Sequence, residues 1–342
     1  MYCMNNTNLG DMLQDSCGRY PDNISIIYNE LRLSYAQLGR SINAFGNALR
    51  RLGIKKGDKV AIMLPNIPEF VISYFAVVKL GAVAVTINTL STPYELTHLI
   101  SDSDSQALIT TSKAAVRFEE IRSELPQCRH VILNEGNEGD LSINDVVAAG
   151  PYDLEREEIS EDDPAVMIYT AGLTGKPMGA VLTHRNLLTQ SLLLRDMTGG
   201  NESDRGLCLI PLFHSFGAVA NMLGTLKMGA GLVMMDQFKM DSIFRTIERE
   251  RITYIAAVPR VFLGMFIYDG ADDYNLDSLR ICITGGSTMP AEFFGTFEKK
   301  FGVKLLEGYG LTEASPVCSF SRIDMVQKPG SIGIPIPEVA VK

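Results

Sequence analysis

The sequence predicts an α/β fold built on parallel sheets, and three observations carry that prediction. Short β-branched runs alternate with amphipathic segments in two series along the chain, and helix-start signals stand where the alternation needs them. A length of 342 residues with 46% hydrophobic side chains is enough for sizeable cores and about two domains. In chain order, Ser34-Tyr-Ala-Gln37 is a capping-box pattern, after which Leu38, Ile42, Phe45 and Leu49 recur at helical spacing until Gly53 stops the helix. Strand-like Val60–Leu64 leads into a helix opened by Pro68, then strand Ala82–Ile87, a helix near Pro93, strand Ala107–Thr110, a helical stretch and strand His130–Leu133. Residues 135–163, rich in Gly, Glu and Asp, read as a connection between two lobes. A second series follows, with strands near Ala165–Tyr169, Leu207–Ile210, Leu232–Met235, Tyr254–Val258 and Leu279–Thr284. No internal repeat or low-complexity tract interrupts it.

Composition excludes several function classes. A net charge of −9 and the lack of any Lys/Arg run leave no basic footprint for nucleic acid or an anionic membrane surface. The polar stretch from Met1 to Asn23 lacks the layout of a secretion signal, so a cytoplasmic location is expected. The longest apolar run, Phe70–Ile87, is divided by Lys79 and Gly81 into a helix and a buried strand, so no membrane span is expected. Six cysteines at 3, 17, 128, 208, 282 and 318 show no metal-ligand spacing and read as free buried thiols. Of the four histidines, only His184 and His214 lie in motifs, while His98 and His130 sit in ordinary helix and strand contexts.

Two stretches carry chemistry. Tyr169-Thr-Ala-Gly-Leu-Thr-Gly-Lys-Pro-Met-Gly179 has the makings of a phosphate cradle: Gly172, Gly175 and Gly179 admit an anion close to the backbone, Thr170 and Thr174 add hydroxyls, and Lys176 adds a positive charge. The second is Gly308-Tyr-Gly-Leu-Thr-Glu313. A Walker loop is excluded, because Gly172 and Gly175 enclose two residues rather than four and Pro177 follows Lys176. A dinucleotide fingerprint is excluded too, since Glu313 stands where the third glycine belongs.

Together the two stretches resemble the signatures of the adenylate-forming superfamily of acyl-CoA synthetases, luciferases and peptide-synthetase adenylation domains. Six further matches follow in the family's order: Leu64-Pro-Asn-Ile-Pro-Glu-Phe70, Gly81-Ala-Val-Ala-Val85 leading to Asn88, Pro211-Leu-Phe-His-Ser-Phe-Gly217, Val258-Pro-Arg260, Thr284-Gly-Gly-Ser287 and Gly330-Ser-Ile-Gly-Ile-Pro335. The resemblance implies a large N-terminal adenylation domain over residues 1–342, with two interleaved, mainly parallel sheet lobes at 54–195 and at 20–53 plus 196–320, and the start of a small β-barrel at 321–342. Because Pro337–Lys342 breaks off inside what reads as a strand, the expectation is a truncated chain without the family's mobile C-terminal domain. The exposed strand edges of an unfinished barrel favour self-association, for example as a homodimer.

The implied reaction is attack of a carboxylate on the α-phosphorus of ATP, giving acyl-AMP and pyrophosphate, followed by displacement of AMP by the thiol of coenzyme A. Positioning and electrostatics dominate such chemistry. By resemblance, Thr170, Gly172, Thr174, Gly175, Lys176 and Gly179 wrap the β- and γ-phosphates. Thr312 contacts phosphate, Glu313 ligates Mg²⁺, and Tyr309 stacks on adenine between Gly308 and Gly310. Gly285, Gly286 and Ser287 border adenine and the acyl carboxylate, and His214 sits at the acyl pocket. Phe213, Phe216, Ala220, Met222, Val258, Phe262, Pro316 and Val317 lie in segments that line the acyl tunnel of relatives.

Three departures from the family pattern, Ala171, Leu173 and Met178, remove two hydroxyls and a cation from the cradle and predict a weaker grip on triphosphate. No carboxylate in Phe213-His-Ser-Phe216 is available to pair with an amino group, which points to a simple carboxylic acid. The absence of Trp leans towards a medium-chain, long-chain or aromatic acyl group. Low activity without the C-terminal part, a nucleotide- or acyl-binding fragment without turnover, and an enzyme that loads a carrier protein remain open alternatives.

Overall fold

The computed structural model describes residues 7–136, 139–171, 175–235, 238–328 and 330–341. Its first half runs α1 (Leu9–Arg19), β1 (Ile24–Tyr28), β2 (Leu31–Ser34), α2 (Tyr35–Arg51), β3 (Lys59–Met63), α3 (Pro68–Lys79), β4 (Val83–Thr86), α4 (Pro93–Ser103), β5 (Ser105–Thr110), α5 (Ser112–Glu119), β6 (His130–Leu133), β7 (Leu141–Ser142), α6 (Ile143–Ala149), β8 (Pro164–Thr170), β9 (Met178–Thr183) and α7 (His184–Ser191). The remainder runs α8 (Leu193–Thr198), β10 (Arg205–Cys208), a π-helical turn (Gly217–Leu223), α9 (Gly224–Met228), β11 (Gly231–Met234), α10 (Met240–Glu250), β12 (Tyr254–Ala257), α11 (Pro259–Ile267), β13 (Ile281–Thr284), α12 (Ala291–Phe301), β14 (Lys304–Gly310), β15 (Val317–Phe320) and β16 (Ile334–Pro335). The predicted α/β class with two mainly parallel sheets is the one observed. None of the described helices is long and apolar enough to cross a membrane.

The chain divides into two compact units, residues 1–22 with 34–188 and residues 23–33 with 189–342. The first holds a sheet ordered β7-β6-β5-β3-β4-β8-β9 among the described residues. All its pairs are parallel except the β8–β9 hairpin. Helix α2 shows why its segment folds as it does. Ser34 Oγ accepts from Gln37 N and Gln37 Oε1 accepts from Ser34 N, a reciprocal cap worth about 1 kcal/mol. Leu38, Ile42, Phe45 and Leu49 are then wholly buried, each contributing about 1.5–3 kcal/mol relative to exposure.

Two expectations are corrected here. Residues 34–53 belong with the first unit rather than the second, because α2 packs its apolar face on α1, α3 and α6. Residues 135–163 do not connect two lobes. They lie in the first unit, where Asn43 donates to Tyr152 O at 2.8 Å, Asn47 to Asp153 O at 2.7 Å and Lys56 to Glu158 O at 2.8 Å. The polar opening stretch contains α1, capped by the Asn8 side chain accepting from Asp11 N.

The second unit holds a sheet ordered β16-β15-β14-β13-β12-β10-β11-β1-β2 among the described residues. Its centre is parallel. One face of β13 sends Cys282 into a cluster with Phe262 and Phe297, and the other sends Ile281 and Ile283 into a cluster with Met197, Tyr254 and Phe320. Strand β14 changes partner along its length. Lys304–Glu307 pair in parallel with β13, then Gly308–Gly310 pair antiparallel with β15, with a register shift between Tyr309 and Gly310. That bulge re-aims the backbone where the second signature stretch begins.

Candidate active site

Each unit carries one of the two signature stretches. In the first, β8 and β9 form a hairpin in which Thr170 stands opposite Met178 and Tyr169 opposite Gly179. Gly172 and Thr174 lie outside the described residues. Tyr169 on β8 and Pro177 just before β9 are both tied to α4: the Tyr169 hydroxyl reaches Asp102 Oδ2 at 2.7 Å, and His98 Nε2 meets Pro177 O at 2.9 Å. Burial, reinforced by the Asp102 carboxylate, raises the Tyr169 pKa, so the phenol keeps its proton. Thr170 is half-buried, and Gly175 takes a φ of +83°. Lys176 and Met178 are exposed. The exit arm leads into His184, which is fully buried and whose Nδ1 accepts from Leu9 N at 3.2 Å. Its Nε2 has no partner among the described residues, and burial lowers its pKa to about 4.

In the second unit a cavity of about 370 Å³ opens beside the ends of β13 and β14. Of the expected residues, Gly285, Gly286, Gly308, Tyr309, Gly310, Thr312, His214, Phe216, Ala220, Val258, Pro316 and Val317 border it. The glycines answer local demands: a Cβ on Gly310 would run into the Pro316 carbonyl, and Gly286 takes a φ of +82°. Tyr309 is 46% exposed, which leaves a ring face open for stacking. Partial burial lowers the His214 pKa, favouring the neutral ring. Glu313 is exposed next to Thr312. One carboxylate with an adjacent hydroxyl fits Mg²⁺, which takes one or two carboxylates and completes its shell with phosphate oxygens and water. No cluster of three or more His, Cys, Asp or Glu able to hold a metal by protein ligands alone occurs among the described residues.

Five of the residues expected in this unit do not line this cavity, the exposed Glu313 among them. Met222 is fully buried in the π-helical turn, and Phe262 packs edge-on against Phe297 with ring centroids 5.6 Å apart. Phe213 lies against the His214 ring, with centroids 4.4 Å apart, and Ser287 is exposed beyond the end of β13. The cavity is completed by Leu193, Met197, Ile210, Val219, Ile283, Leu311 and Phe320, and by Gln190, Ser215 and Thr284. Among the described residues, none of those lining it is charged at neutral pH.

Two of the unforeseen residues hold the turn that carries Thr312 and Glu313. The Ser215 and Thr312 hydroxyls are 3.0 Å apart and hydrogen-bonded. Gln190 Nε2 donates to Ala314 O at 3.2 Å and Val317 O at 2.9 Å, while its Oε1 accepts from Val317 N at 3.2 Å. Ser215 was available to sequence reading as the residue after His214. Gln190 carried no local signal.

A model of the AMP-binding enzyme family matches residues 13–342. The long-chain-fatty-acid–CoA ligase of Bacillus subtilis (strain 168) is 31% identical over 363 residues, covering 97% of this chain and 64% of that protein. A feruloyl-CoA synthase from an Amycolatopsis species is 31% identical over 333 residues, covering 97% and 65%. Among solved structures, an anthranilate CoA ligase in complex with anthranoyl-AMP matches with a TM-score of 0.90 at 29% identity, covering 96% of this chain and 64% of that one. The inhibitor-bound N-terminal domain of FACL13 from Mycobacterium tuberculosis matches with a TM-score of 0.88 at 28% identity, covering 96% and 82%. The chain therefore spans less than two thirds of the length of the Bacillus relative.

Proposed function

The chain belongs to the AMP-binding enzyme family, and on that premise we propose that it carries the acid-activating machinery of an AMP-forming acid–CoA ligase. The substrate carboxylate forms a bond to the α-phosphorus of ATP as the bond to pyrophosphate breaks. The coenzyme A sulfur then forms the thioester as AMP leaves with the former carboxylate oxygen. Tyr309, Gly308 and Gly310 take the adenine, Thr312 a phosphate oxygen, and Lys176 with the hairpin glycines the terminal phosphates. Glu313 would hold Mg²⁺, which would supply charge neutralisation at the phosphates. Coenzyme A as the thiol is supported by the CoA-ligase names of the relatives.

The observation that carries this reading is the uncharged cavity running from Gly308–Thr312 to Met197 and Phe320. An amino-acid substrate would leave its ammonium without a partner there, so an acid with a neutral body is favoured. A volume of about 370 Å³ stands at the lower end of ligand pockets, and an aromatic ring needs only about 150 Å³. We therefore propose a compact apolar acid, aromatic or medium-chain, rather than a long-chain one.

Acid-dependent ATP–pyrophosphate exchange in the full natural polypeptide tests the proposal. Benzoate- or octanoate-class acids should drive exchange and amino acids should not. Exchange driven by amino acids, or by none of the acids, would refute it. Self-association is likewise a proposal, resting on the partly exposed Ile332 and Ile334 along the sheet edge. Sedimentation at two protein concentrations decides it, since a monomer at both would reject it.

A further inference from the structure

The turn from Leu311 to Val317 has an energetic problem that Gln190 solves. Leu311 N donates to Pro316 O, Ala314 N to Leu311 O and Ser315 N to Thr312 O, which closes the turn on itself. Ser315, at its corner, takes a φ of +76°, a left-handed conformation that costs a non-glycine residue free energy and persists only where its surroundings over-determine it. The bonds from Gln190 fall on both sides of that corner, at Ala314 and at Val317. Gln190 is 3% exposed, so both amide protons are spent on carbonyls and its oxygen accepts the Val317 amide.

We propose that Gln190 is a positioning residue: its side-chain amide fixes the corner at Ser315 and thereby sets Thr312 and Glu313 on one side and the cavity wall at Pro316 and Val317 on the other. This rests on the adenylate-forming reading of the same site. Two donors and one acceptor on one planar group are needed, so neither an apolar isostere nor a carboxylate can replace it fully. A carboxylate still accepts from Val317 N but repels the two carbonyls. Once protonated, it can donate to one of them again.

The test compares Gln190→Met and Gln190→Glu with the wild-type chain by two measurements. The first is amide hydrogen exchange across 311–317. The second is affinity for benzoyl-sulfamoyl-adenosine, a non-hydrolysable acyl-adenylate, between pH 5.5 and 8. Gln190→Met should lose protection at the Val317 amide and bind the probe about 10- to 150-fold more weakly, the effect of three lost hydrogen bonds. Gln190→Glu should bind weakly at pH 8 and recover relative to wild type towards pH 5.5, which a general loss of packing would not do.

Retained Val317 protection in Gln190→Met, wild-type probe affinity in that variant, or a flat relative pH profile for Gln190→Glu would each overturn the proposal. If wild type itself binds no probe, the adenylate reading fails instead, and Val317 exchange alone then decides whether Gln190 is the clamp. If Gln190→Met does not fold, the pH profile of Gln190→Glu decides.

Discussion

The hairpin after β8 and the turn after β14 carry the two signature stretches, and they are held in different ways. The hairpin is tied to α4 near its loop end, by Tyr169 to Asp102 and by Pro177 to His98. Among the described residues nothing lies within 4 Å of where a Cβ on Gly175 would sit, and Lys176 and Met178 are exposed. The turn is bonded within itself and clamped from outside by Ser215 and Gln190. Glu313 is itself exposed, so the difference lies in the backbone: the clamped turn fixes the positions from which Thr312 and Glu313 act and costs little to order when charge develops against them. Damage to the turn should therefore lower the rate of the chemical step, and damage to the exposed part of the hairpin should weaken binding.

The largest expected effect follows from that division. Glu313→Gln in the full natural polypeptide should lower kcat for ATP–pyrophosphate exchange by about 10²- to 10³-fold, the range found when one preorganised electrostatic group is removed, while KM for ATP moves far less. A defect appearing mainly in KM would place Glu313 in the same class as the exposed hairpin residues and erase the contrast.

The base of the hairpin can be loosened by pH. His184 is buried neutral, with its pKa lowered from an ordinary value near 6.5 to about 4. Between those values the unfolded chain binds more protons than the folded one. His184 thus contributes its full stability above about pH 6.5 and loses it as pH falls towards 4, at about 1.4 kcal/mol per unit and about 3 kcal/mol in all. Urea midpoints at pH 7 and pH 4.5 should separate further in wild type than in His184→Gln. Equal separations would show that the ring does not titrate as its burial requires.

Much of this architecture was legible in the sequence, for reasons that also mark where legibility stops. Ser34 and Gln37 announced α2 because a capping box is a local contact. Gly285, Gly286, Gly308 and Gly310 announced the cavity because close backbone approach and positive φ select glycine. Met222 and Phe262 misled because an apolar side chain has the same pattern whether it faces a core or a cavity, and a π-helical turn departs from the 3.6-residue period on which such patterns rest. Gln190 and Ser215 act on partners 124 and 97 residues away, a separation that no local spacing encodes.

Ser215→Ala sharpens the comparison at smaller scale. It removes one hydrogen bond to the Thr312 hydroxyl without changing the packing much. A cost of about 1 kcal/mol for such a bond corresponds to a five- to tenfold fall in kcat, read in the same exchange assay. Unchanged kcat would mean that Thr312 is held adequately by the turn itself.

The smallest effect belongs to the exposed hairpin, and its sign is a gain. Met178 is 61% exposed, so Met178→Lys adds a cation with little desolvation cost, opposite Thr170 across the hairpin. An exposed ion pair is worth about 0.2–1 kcal/mol, so the apparent dissociation constant for ATP or pyrophosphate should fall by no more than about fivefold, with kcat nearly unchanged. Because the Debye length shrinks from about 10 Å at 0.1 M salt to about 3 Å at 1 M, the gain should fade across that range. Met178→Gln, similar in length but uncharged, is the control. Equal affinities for the Lys and Gln variants, or a gain that persists at 1 M salt, would show that charge at this position is not what the hairpin lacks.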